Sequence, residues 1–69
     1  MKADRGVRMY KCMQMLMSAW GCCPELRLGQ MISNACQHYG ITEQQFFYME
    51  DEELVDKIYA WCSALAYGN

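Results

Sequence analysis

The sequence predicts an all-α fold: a small domain of three helices, with a short irregular or extended segment before the last. Three observations carry this. The chain has 69 residues, enough for a single helical domain over residues 1–69 and no second core. Three stretches place apolar residues at helical spacing. Each of them closes on a glycine, Gly21, Gly40 or Gly68, the residue that most readily takes the left-handed turn ending a helix.

The first helix is expected from about Asp4 to Trp20. Met9, Met13, Leu16, Met17 and Trp20 recur at helical spacing, Gly21 is its stop, and Pro24 lies just beyond as a breaker. The second starts between Glu25 and Leu28 and runs to about Tyr39. Its apolar set, Leu28, Met31, Ile32, Ala35, Cys36 and Tyr39, fills the i, i+3, i+4, i+7, i+8, i+11 series. With so few residues between them, the two helices are expected to form a hairpin.

Residues 41–49 leave two readings open. Thr42 with Gln45 three residues on has the form of a capping box, the start of a single helical turn. Phe46-Phe47-Tyr48-Met49 equally reads as an extended crossing that drops aromatics into the core. The last helix opens on Glu50-Asp51-Glu52-Glu53, acids suited to the positive end of a helix dipole, and runs to about Ala66. Leu54, Ile58, Trp61, Cys62 and Leu65 are its expected buried stripe.

Composition explains how such a chain folds. Leu, Ile, Val and Phe make up only about 17% of it, a fraction that accompanies disorder when net charge is high. Here the formal net charge is −2, and 7 Met and 5 Cys stand in for the missing aliphatics. An odd number of cysteines cannot all pair within one chain, and no cleavable apolar segment follows the basic start. The longest uncharged run, Cys12 to Pro24, falls well short of the ~20 residues that span a bilayer. A cytoplasmic protein with reduced thiols, on no membrane, is expected.

The width of the apolar faces is the most informative pattern. At 100° per residue the second helix has an apolar arc of about 140° and the last about 160°, whereas the first sweeps about 220°. A helix facing its own core needs little more than ~100°. Either the Phe46–Met49 segment covers the excess, or a Met-rich flank of helix 1 is left for another surface. Pairing of two copies through helix 1 is the simplest cover. Charge is also segregated: Lys2, Arg5, Arg8 and Lys11 stand in the first eleven residues, and Glu50, Asp51, Glu52, Glu53 and Asp56 open the last helix. The candidate interaction residues are therefore Arg8, Tyr10, Met15 and Met17 on helix 1, with Glu50, Asp51 and Glu52 on the last helix.

Catalytic and ligand chemistry finds little footing. Cys22-Cys23 are adjacent and lack the C-x2-C spacing of a zinc site, and Cys36-x-His38 does not place two ligands on one helix face. His38 is the only histidine. There is no phosphate-binding glycine loop, no H-E-x-x-H and no G-x-S-x-G. The basic patch is small, and a helix opening on four acids repels phosphates, so nucleic acid is not an expected partner. The expectation is no enzyme, no metal and no cofactor, with binding to a protein partner instead. The alternative is a thiol-based redox or metal-responsive protein using Cys22, Cys23 and Cys36.

Trp20, Pro24-Glu25-Leu26-Arg27-Leu28-Gly29-Gln30 and Phe47-Tyr48-Met49-Glu50-Asp51-Glu52-Glu53-Leu54 resemble a family of small uncharacterised bacterial and phage proteins. Its pattern is W-x3-P-D/E-L-R-L-G-Q-L-I-x-N-A followed by F-Y-x-E-D-E-E-L. The match covers about residues 20–55, half the chain. It departs at Cys22-Cys23, where charged residues are usual, and at Tyr39–Gln45, which reads as an insert. The resemblance implies a compact helical domain and no particular activity. By analogy with small acidic phage proteins, it implies a stoichiometric inhibitor of a host or defence complex in the host cytoplasm, as anti-CRISPR proteins are. A tie from Arg27 to the acids at Glu50–Glu53 is expected to fix the fold.

Overall fold

The computed structural model describes the backbone of residues 2–68 and the side chains of residues 5–68. It is all-α, with four helices among the described residues: α1 Lys2–Cys22, α2 Leu28–His38, α3 Glu43–Phe47 and α4 Asp51–Ala66. The helix added to the three expected is α3, the single helical turn that Thr42 and Gln45 announce. The Thr42 hydroxyl accepts from the Gln45 N–H at 3.2 Å, and the Gln45 side chain accepts from the Thr42 N–H at 2.7 Å. The extended crossing is not formed, and Phe47 and Tyr48 are 75% and 80% exposed rather than in the core. They stack edge to face on each other, ring centres 4.9 Å apart.

Local chemistry sets the remaining ends. Gly21 does not stop α1, which passes through it to Cys22 with no left-handed residue there. The turn comes from Cys23, whose N–H bonds to the Trp20 carbonyl at 3.0 Å, with Pro24 directly after. The Trp20 indole N–H then donates to the Leu26 carbonyl at 2.7 Å, holding the loop against the end of α1. Arg27 is extended, and its N–H is capped by the Gln30 side chain at 2.8 Å, so α2 starts at Leu28. Gly40, at φ 67°, closes α2 in a Schellman turn: its N–H bonds to the Gln37 carbonyl and that of Ile41 to the Cys36 carbonyl. Gly68, at φ 75°, follows α4 in the same left-handed conformation.

The hairpin expected of the first two long helices is not the main packing. α4 is the shared partner, lying along α1 on one side and against α2 on the other. The buried cluster joins Ala19 of α1 and Cys23 just after it, Met31 and Ala35 from α2, and Ile58 and Cys62 from α4. Leu16, Leu26, Ile32, Leu54 and Trp61 pack around it. Ala19 and Ala35 are small enough to let α4 approach both neighbours. The stripe expected on α4 is largely as read, but Leu65 is exposed. That on α1 is turned: its inner line is Cys12, Leu16 and Ala19, whereas Met9, Met13 and Met17 face outward. At the far end, Lys57 of α4 sits 5.2 Å above the Tyr39 ring, a cation–π contact that ties α4 to the end of α2.

Candidate functional site

The outward side of α1 carries a groove of about 360 Å³ lined by Tyr10, Met13, Gln14, Leu16, Met17, Trp20 and Leu28. Tyr10, Met13 and Met17 are 65%, 62% and 68% exposed. Within the lining, the Gln14 side chain donates to the Tyr10 hydroxyl at 3.2 Å. A shallower depression at Met17, Trp20, Gly21 and Pro24 continues the groove past the end of the helix. Methionine side chains are flexible and polarizable, which suits an apolar surface that must adapt to a partner.

The seven residues singled out in the sequence separate in space. Tyr10 and Met17 line this groove. Met15 lies on the other side of α1, in a cleft shared with Lys11, Cys12, Glu52, Val55 and Asp56. Arg8 reaches α4: its Nε donates to Glu52 Oε2 at 2.7 Å and its Nη2 to Glu52 Oε1 at 3.1 Å, with Glu50 at 4.0 Å. Asp51 is exposed beside them. The expected tie between the acids and the rest of the fold therefore exists, but Arg8 makes it instead of Arg27. The Arg8 guanidinium holds the Glu52 carboxyl down at about 2, and Arg8 itself is raised by the same bond. The two charged ends that read as separate docking patches thus face one another within the chain.

Met13 and Trp20, placed in the sequence on the apolar stripe of helix 1, belong to the groove with Leu16. Leu28 was not legible there as a groove residue, because it reaches α1 only through the loop that Trp20 pins. Among the described residues no three His, Cys, Asp or Glu side chains converge as a metal-binding set. His38 packs edge-on against Tyr39, ring centres 4.8 Å apart. The cysteines are free, and two are close: Cys23 Sγ lies 3.3 Å from Cys62 Sγ, both fully buried. Burial, reinforced by the Cys23 thiol, pushes the Cys62 thiol up to about 12, and burial likewise raises Cys12 and Cys36. Thiols held in that state are poor nucleophiles. No helix of the described residues is long and apolar enough to cross a membrane.

Compared with family models, curated proteins and solved structures, the chain matches none of them.

Proposed function

We propose that this chain is a cytoplasmic protein-interaction module, and that the exposed apolar face of α1 is its contact surface. The single observation behind the reading is the groove at Tyr10, Met13, Met17 and Trp20, an apolar surface continuous over several turns of a long helix. Exposed apolar patches of this kind mark interaction sites. Such a module acts by occupancy rather than turnover. The resemblance to small bacterial and phage proteins extends the proposal to stoichiometric inhibition of a larger host or defence complex, the anti-CRISPR-like mode. A thiol-based redox or metal-responsive role through Cys22, Cys23 and Cys36 is the weaker reading, since Cys23 and Cys36 are buried and burial pushes the Cys36 thiol up.

Photo-crosslinking tests the surface. A crosslinking residue placed at Met13 or Met17 is expected to give protein adducts in the native cell, and one at Ser33 or Gln37 on α2 is not. Adducts from α2 and none from α1 would move the contact surface elsewhere.

A further inference from the structure

Resting on the docking role just proposed, we infer that the occupant of the α1 face is a second copy of this chain, paired with it antiparallel about the midpoint between Met13 and Gln14.

Surface area points to a covering partner of definite size. The chain exposes 5366 Å², whereas a compact monomer of 8.1 kDa exposes about 4,500 Å². Its radius of gyration is 12.3 Å, against about 11 Å for a compact domain of this length. The excess of roughly 900 Å² is close to the ~800 Å² that each partner contributes to a standard interface. Much of the apolar exposure lies on α1, the longest helix of the fold.

The order of residues on that face identifies the partner as the same chain. Reflected through the midpoint of Met13 and Gln14, Tyr10 exchanges with Met17. One turn further out, Val7 exchanges with Trp20, and beyond them Gly6 with Gly21. All of these fall within an arc of about 140° at helical spacing. An antiparallel pair related by a two-fold axis needs this symmetry, because each contact then occurs twice with the roles reversed. The large Trp20 ring of one copy meets Val7 and Gly6 of the other, and added atoms at Gly6 and Gly21 would meet nothing within 4 Å in the single chain, so both ends have room.

Charge agrees with this direction. No ionisable Lys, Arg, Asp or Glu stands at any of these positions. The basic residues of α1 all belong to its first half, and the second half carries no charge. An antiparallel pair sets each basic half beside an uncharged one and opposes the two helix dipoles, whereas a parallel pair brings the basic halves together.

A charge-swap experiment tests both the partner and the register, read by light scattering under reducing conditions. The wild-type chain is expected at twice its 8.1 kDa mass. Tyr10→Lys and Met17→Glu, each on the surface, are each expected to weaken pairing on the order of tenfold or more. Mixing the two variants is expected to restore the dimer, because Lys at position 10 then faces Glu at position 17 of the other copy. A wild-type chain that stays monomeric, variants that dimerise as before, or a mixture that fails to recover would each overturn the inference. A monomeric chain that still crosslinks from Met13 to a different protein would leave the docking role standing and sink only the self-pairing.

Discussion

Arg8 on α1 and Glu52 on α4 meet in a two-point ion pair, at 2.7 and 3.1 Å, across 44 positions of sequence. It is one of the few directional contacts joining these helices, whose remaining contact is apolar packing around small side chains. It lies on the side of α1 that faces α4, away from the side that carries Tyr10, Met13 and Met17.

That pair makes stability depend on pH in a defined direction. The Glu52 carboxyl is held at about 2 in the fold, against 4.5 for an unperturbed one. Its contribution is therefore complete above the unfolded value and is lost as pH falls through the folded one. Glu52→Gln is expected to lower the urea midpoint modestly at neutral pH, and the gap from wild type should close by about pH 2. A gap that persists unchanged in acid would show that the ion pair is not its source.

The core is small enough for one residue to decide folding. Ile58 is buried among Met31, Ala35, Ala19 and the Cys23–Cys62 pair. Ile58→Ala should cost about 2–5 kcal/mol, out of a total of roughly 3–10 kcal/mol for a chain of this length. Phe47→Ala, on an exposed ring, should stay within about 0.5 kcal/mol. Circular dichroism through a denaturant titration compares the two.

Two glycines should respond in opposite directions. Gly40→Ala forces a side chain into the left-handed turn that ends α2, and should destabilise by about 1–2 kcal/mol. Gly29→Ala, in the first turn of α2 with open space around it, should instead be neutral or gain up to about 1 kcal/mol. Thermal unfolding of both variants checks the sign of each.

Much of this fold could be read in the sequence, and the exceptions have physical causes. Thr42 with Gln45, Gly40, Gly68 and the acids of α4 act through neighbours close in the chain, so their spacing was informative. Gly21 misled because a glycine stops a helix only where the backbone turns left-handed, and the turn here forms at Cys23 and Pro24. The α1 stripe was misplaced for a different reason. The helical wheel gives the width of an apolar arc but not the side a distant helix takes. That side is chosen by Ala19, which admits α4 closely, and by Arg8, which finds Glu52. The wide arc itself was legible, as were Tyr10 and Met17 on its outer part, while Leu28 depended on the Trp20–Leu26 bond.

Thiol reactivity should follow burial rather than sequence order. Cys22 is half-buried at the end of α1, whereas Cys23 and Cys62 are enclosed and the Cys62 thiol is pushed up to about 12. Alkylation followed by mass spectrometry is expected to modify Cys22 well before either of them. Rapid modification of Cys62 in the folded chain would mean that the core opens far more readily than its packing implies.

Pairing through α1, as proposed, covers the outer face of this helix in solution, and methionine methyl signals report on it directly. With a soluble paramagnetic probe and a dilution series of the purified chain, Met13 and Met17 are expected to be shielded at high concentration and exposed on dilution. Met31, fully buried in the core, should be shielded throughout. Met13 and Met17 equally open to the probe at every concentration would contradict the account.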